Sequence, residues 1–142
     1  MELSGRPVTV VGAGRSGVAA ANLLAARGAD VLLVEARADA PRPDALHEAA
    51  AFEPGTNGVR PGDLAVLSPG IPEVSPVRGE VASVASEVIG EVELFYRLCP
   101  CPVVAITGTD GKSTTTTMIG EVFERAGLQP FVGGNLGNPL CE

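Results

Sequence analysis

At 142 residues the chain has room for one ordinary domain and the beginning of another. An apolar content of 45% with only 4% aromatics requires a core of Ala, Val, Leu and Ile rather than of large rings. The net charge of −7, without any Lys/Arg run, argues against electrostatic capture of nucleic acid or of an anionic membrane surface.

Residues 7–11, PVTVV, are short, β-branched and ended by a glycine, which predicts a fully buried strand. Residues 16–27, rich in Ala and Leu and closed by Gly28, predict a helix. VLLVE at 31–35 predicts a second buried strand, and two such strands around a helix make a right-handed βαβ crossover. Between Ala36 and Pro61 the pattern weakens, although residues 44–52, DALHEAAAF, allow one short helix. DLAVLSPGI at 63–71 predicts a strand ending in a Pro-Gly turn, and residues 85–98 a short strand running into a helix.

The Cys99-Pro100-Cys101-Pro102 stretch reads as a connector and as the domain boundary. After it come an expected strand at 102–107, a loop at 108–112, a helix to about residue 126 and a strand at 130–135. So few residues cannot cover both faces of a parallel sheet. The expected organisation is therefore a Rossmann-like α/β domain over 1–98 and the start of a phosphate-loop α/β domain over 99–142, incomplete as given. The three cysteines, Cys99, Cys101 and Cys141, fit neither a disulfide framework nor a zinc site, so a reducing cytoplasmic setting is expected. The apolar run at 18–26 is too short to cross a bilayer, and the N-terminus lacks a basic leader region.

Two glycine loops carry the chemistry. Gly12-Ala13-Gly14-Arg15-Ser16-Gly17 fits G-x-G-x-x-G between a predicted strand and a predicted helix. The first glycine permits a tight turn, the second lets a ligand approach the backbone, and the third lets helix and strand lie close, with the helix N-terminus favouring an anion. Glu35, about 20 residues beyond Gly14, ends the second strand, where a carboxylate receives hydrogen bonds from a bound nucleotide. The pattern leaves the nucleotide open: NAD would use Glu35 for a ribose hydroxyl, a uridine nucleotide for a base N–H. The second loop, Gly108-Thr109-Asp110-Gly111-Lys112-Ser113-Thr114, offers converging backbone N–H groups, a lysine for the β/γ-phosphates and a serine hydroxyl for Mg²⁺. Its spacing is short, since the general pattern would need glycine at Ile106.

That shortened loop, with GAGRSG at 12–17, SPGI at 68–71, GEVELF at 90–95 and GGNLG at 133–137, resembles the Mur ligases of peptidoglycan synthesis. The resemblance covers essentially the whole chain. It implies an ATP- and Mg²⁺-dependent, amide-forming enzyme of the cytoplasm, and most closely the member that joins D-glutamate to UDP-N-acetylmuramoyl-L-alanine through an acyl phosphate. It further implies ATP contacts at Gly108, Thr109, Asp110, Gly111, Lys112, Ser113 and Thr114, with Lys112 catalytic and Ser113 on Mg²⁺. Contacts to the UDP substrate are implied at Gly14, Arg15, Ser16, Glu35, Arg37, Gly70 and Asn135. Glu35 and Asp110 depart from the commoner Asp and Asn at their positions, and Ala36 lacks a hydroxyl often found there. The family's remaining magnesium ligands, carbamylated lysine and amino-acid-binding domain would lie beyond Glu142, so the chain alone is expected to be inactive. His47 is expected to be a surface residue rather than a catalyst. Two other readings compete: a nicotinamide-dependent oxidoreductase, which leaves the second loop unexplained, and a nucleotide-binding regulatory module.

Overall fold

The computed structural model describes residues 1–134 and 138–142. Five strands, β1 (Pro7–Val11), β2 (Asp30–Glu35), β3 (Ala51–Pro54), β4 (Leu64–Leu67) and β5 (Glu87–Gly90), form one sheet in the order β3-β2-β1-β4-β5. All four pairings are parallel, with Val8 of β1 opposite Val31 on one side and Leu64 on the other. β1 thus lies between two neighbours and beneath helices on both faces, and a strand without a solvent face reads as an unbroken apolar run. This is a Rossmann-like doubly wound α/β domain, whose strand order reverses between β1 and β4.

The pleat divides the core. On one face Val8, Val10, Leu33 and Val66 meet Leu24 of α1 (Arg15–Ala26) and Leu94 of α3 (Glu91–Leu98). On the other Val11, Val34, Ala65 and Leu67 meet Val81 of α2 (Pro76–Val84). Successive residues of one strand belong to opposite clusters, as a side-chain period of two dictates.

Beneath the sheet a polar clasp fixes the crossover that leads into β4. Thr9 Oγ1 donates to Asp63 Oδ2 at 2.6 Å, and Arg60 Nε donates to the same oxygen at 2.8 Å. Arg60 also reaches Asp30 Oδ2 at 3.0 Å and the Asp30 carbonyl at 2.8 Å. Burial pulls the Arg60 pKa down, but the Asp63 hydrogen bond and charge, with those of Asp30, leave it raised overall.

Three sequence expectations about elements need correction, and one helix was not anticipated. Residues 44–50 form turns, not a helix, and β3 follows them. Asn22 of α1 intercepts the backbone there, donating to the Ala45 carbonyl at 2.8 Å and accepting from the His47 N–H at 2.7 Å. The free edge of β2 then recruits Ala51–Pro54, against the helical preference of Ala51 and the alanines before it. α2 carried its own signals, a Ser75 cap with Pro76 at the first helical position, which the surrounding valines and Gly79 obscured. The strand expected at 102–107 does not form: Val103 and Val104 are exposed, and no described strand lies beside them. The described part of the strand expected at 130–135 is likewise irregular. β-Propensity without a pairing partner does not make a strand. The helix between these two segments does form, as α4 (Lys112–Arg125), with Gly120 its one buried residue.

Candidate functional site

The glycine turn joins β1 to α1 at the C-terminal edge of the sheet. Gly12 has φ +97° and donates its N–H to the Val34 carbonyl at 2.9 Å, which ties the turn to β2. A Cβ on Gly17 would lie 1.9 Å from the Gly12 carbonyl oxygen, so the third glycine is demanded by packing. Gly14 differs: it caps α1 in extended conformation, without a side-chain cap, and a Cβ there would meet nothing within 4 Å. The first N–H groups of α1, including those of exposed Arg15 and half-buried Ser16, lie at this uncapped end, where an anion is favoured.

Glu35 ends β2 beside this turn. Its Oε2 accepts from the Ala13 N–H at 2.9 Å and its Oε1 from the Arg37 N–H at 3.2 Å. The longer glutamate thus reaches back and braces the glycine turn. A carboxylate has about four acceptor positions, so half remain for a ligand. Arg37 is exposed and only loosely paired with Asp39, at 3.7 Å. Gly70 lies in the exposed turn after β4, and Ser68 at its base donates its N–H to the Val11 carbonyl at 3.0 Å. Gly14, Arg15, Ser16, Glu35, Arg37 and Gly70 therefore share one sheet edge, where strand order reverses and doubly wound folds bind ligands. Asn135 lies outside the described residues.

Two concavities adjoin this edge. One, of about 790 Å³, starts at Ala13 and Arg15 and follows α1 to Ala26, walled by Pro43, His47 and Pro139. The other, about 470 Å³, begins at Ala36 and runs between Asn57 and Glu80. His47 is half-buried and structural: its Nδ1 accepts from the Ala49 N–H at 3.1 Å.

The second loop precedes α4. Gly108 (φ +152°) and Gly111 (φ +74°) both occupy backbone that favours glycine. Gly111 caps α4 without side-chain help, and the first helical turn has no acidic residue. The Lys112 ammonium bridges the Gly108 and Thr109 carbonyls, which centres a cation over the turn. Thr116 and Thr117 spend their hydroxyls on the Lys112 and Ser113 carbonyls inside the helix, whereas Ser113 and Thr114 are exposed at its start. Asp110 is exposed, so its charge is screened by solvent. A positive helix end, an ammonium and a hydroxyl together fit a polyphosphate with a divalent cation. Among the described residues, no group of three or more His, Cys, Asp or Glu side chains converges on a metal-sized site. Among the same residues, no helix is long and apolar enough to cross a membrane.

Cys141 is buried against the α1–α3 core. Burial, then the charge and hydrogen bond of Glu91, push its thiol up from an ordinary value of 9.0 to about 12. A folded pKa above the unfolded one means that this stability is fully present below pH 9.0 and is lost as pH rises to about 12. Thiol titration at pH 9–10 is expected to leave Cys141 protonated until the chain unfolds.

The sheet order and the glycine turn define a Rossmann-like domain, and residues 10–42 match the family model described as an NAD(P)-binding Rossmann-like domain. That match covers the end of β1, the glycine turn, α1 and β2, the part that all such folds share. Over its whole length, the chain is a relative of the UDP-N-acetylmuramoylalanine–D-glutamate ligases, corresponding to their N-terminal part. It is 42% identical to that ligase of Geobacter metallireducens across 100% of the chain and 33% of the relative. With the Pelotomaculum thermopropionicum ligase it shares 46% identity over 95% of the chain and 31% of the relative. The Syntrophus aciditrophicus ligase is 38% identical, again over 100% of the chain and 33% of the relative. The chain thus spans about a third of the length of the curated relatives it matches.

Sequence reasoning assigned no role to Glu91, Ser68 or the Arg60–Asp63 clasp. Glu91 and Ser68 stand inside GEVELF and SPGI, so their strings were visible although their contacts were not.

Proposed function

We propose that this chain is the uridine-nucleotide-holding domain, with the first ATP-contacting loop, of a ligase of peptidoglycan precursor synthesis. The reaction joins D-glutamate to UDP-N-acetylmuramoyl-L-alanine in the cytoplasm. The similarity to such ligases over the whole chain, both loops included, is the observation that carries this reading. The domains divide at 99–102, with the sheet on the N-terminal side.

On this reading the turn at Gly14, Arg15 and Ser16 holds the diphosphate, while Glu35 and Arg37 face uracil beside the Gly70 turn. The two acceptor positions left on Glu35 can take the N–H of a uracil and equally the paired hydroxyls of a dinucleotide ribose, so the choice of uridine rests on the similarity to the ligases. Asn135 contacts the substrate, and Gly108, Thr109, Asp110, Gly111, Lys112, Ser113 and Thr114 cradle ATP, with Ser113 on Mg²⁺. ATP supplies the phosphoryl group that turns the alanyl carboxylate into an acyl phosphate, from which the D-glutamate amine displaces phosphate. Lys112 holds its ammonium where charge develops on the transferring group, and is the catalytic residue. The sheet domain aims a tethered carboxylate at that loop, so its contribution is positioning. Because the relatives extend well beyond the matched third, the chain alone is proposed to be inactive as a ligase.

Thermal unfolding with UDP-N-acetylmuramoyl-L-alanine, UDP, NAD or ATP·Mg²⁺ tests this reading. Uridine ligands at ~100 times their Kd are expected to stabilise the fold by about 2.7 kcal/mol. Lys112→Ala is expected to keep that response and to lose any response to ATP·Mg²⁺. The NAD(P) family model favours one other reading, dinucleotide binding. Stabilisation by NAD and by neither uridine ligand would establish that one and overturn the ligase assignment.

A further inference from the structure

We propose that Glu91 is an intramolecular latch, fastening residues 139–142 to the sheet domain and fixing where the chain returns after the Lys112 loop and α4. The inference needs no assignment of ligand to either loop.

Glu91 is the first residue of α3, only 4% exposed, in a helix whose partner surface is apolar. A buried carboxylate demands hydrogen-bond donors or a cation. Among the described residues, no Lys, Arg or His pairs with it. Its Oε1 instead accepts from the Leu140 N–H at 2.9 Å and the Cys141 N–H at 3.2 Å, donors about fifty residues further along the chain. The same contact seats Cys141 in the α1–α3 core, with its Sγ 3.8 Å from the Glu91 carbonyl, and buries Pro139.

The chain between leaves and comes back. From Cys101 through Gly111 it is almost wholly exposed, and α4 buries Gly120 alone. The 139–142 segment is thus held by the sheet domain and not by the helix that precedes it. Two N–H groups converging on one ionised oxygen give a directional contact, stronger than neutral hydrogen bonds. The latch also supplies one wall of the groove that begins at Ala13 and Arg15, since Pro139, Cys141 and Glu142 line its far side. The position of the returning chain and the shape of the space beside the glycine turn therefore depend on one carboxylate.

The test follows hydrogen exchange at the Leu140 and Cys141 amides, together with iodoacetamide labelling of Cys141, in the intact 142-residue chain. In the parent, both amides are protected and Cys141 labels far more slowly than exposed Cys101. Glu91→Ala is expected to speed both exchange and Cys141 labelling by at least about tenfold, the scale of losing a hydrogen bond to a charged group. Protection at Val10 in β1 should persist, showing that the sheet domain remains folded. Glu91→Gln keeps an acceptor oxygen and restores most of the protection, which mere loss of side-chain packing would not explain. Leu140→Pro deletes one donor and leaves Glu91 intact, and is expected to free Cys141 in the same direction. Unprotected Leu140 and Cys141 amides in the parent chain would overturn the latch. So would labelling of Cys141 in Glu91→Ala and Leu140→Pro as slow as in the parent, with Val10 protected throughout.

Discussion

Gly17→Ala is expected to lower stability by about 3 kcal/mol, the upper part of the range for overpacking, and the melting temperature by roughly 10 °C. The added Cβ would fall 1.9 Å from the Gly12 carbonyl oxygen, a backbone atom held by β1 and by the Gly12–Val34 hydrogen bond. Neither partner is a flexible side chain, so α1 must move away from the sheet. The gain from replacing glycine in a helix, about 0.5–1 kcal/mol, is too small to offset that shift. Gly14→Ala is the control: with open space around its Cβ and φ of −69°, it should leave the melting temperature within about 2 °C of the parent. On the proposed reading it nonetheless weakens the uridine ligand, because the new methyl occupies the approach to the backbone. Equal melting temperatures for Gly17→Ala and the parent would refute the packing role.

Asp63→Ala is expected to cost about 3 kcal/mol, measured as a shift of the urea midpoint at unchanged slope. The carboxylate is the common acceptor for Thr9 Oγ1 and Arg60 Nε, and its side chain is only 4% exposed. Removing it leaves a buried hydroxyl without its acceptor and a guanidinium without its nearest counter-charge. The cost stays at the low end for a broken buried pair because the Arg60 side chain retains 36% exposure and its contacts to Asp30. A double-mutant cycle with Arg60→Ala should give a coupling near ~1 kcal/mol or more, since the residues share one hydrogen bond. Strict additivity would show that the clasp does not act as a unit.

The legible parts of the fold were those where local pattern and burial agree. β1, β2, β4 and β5 are short apolar runs between turn residues, and α1 is an Ala/Leu segment closed by a left-handed glycine at 28. The errors fell where a partner outranks propensity. Asn22 converts an alanine-rich stretch into turns, and β2 makes a strand of Ala51–Pro54. The run from Val103 to Ile106, by contrast, has the apolar character of a strand but no strand beside it among the described residues, and it is irregular.

The site divides in the same way. Its glycines, Glu35 and Lys112 could be picked out because each loop chemistry has a fixed spacing along the chain, and the family resemblance could be read from the same strings. Two glycine loops, a parallel sheet and the relatives to look for were all present in the order of residues. That Glu35 braces the turn it faces, that Gly17 is there for packing while Gly14 opens on space, and that Glu91 holds the returning chain emerged from the folded arrangement alone. The physical reason is range: spacing encodes what neighbours along the chain can do, whereas a buried carboxylate finds its donors about fifty residues away, through the fold.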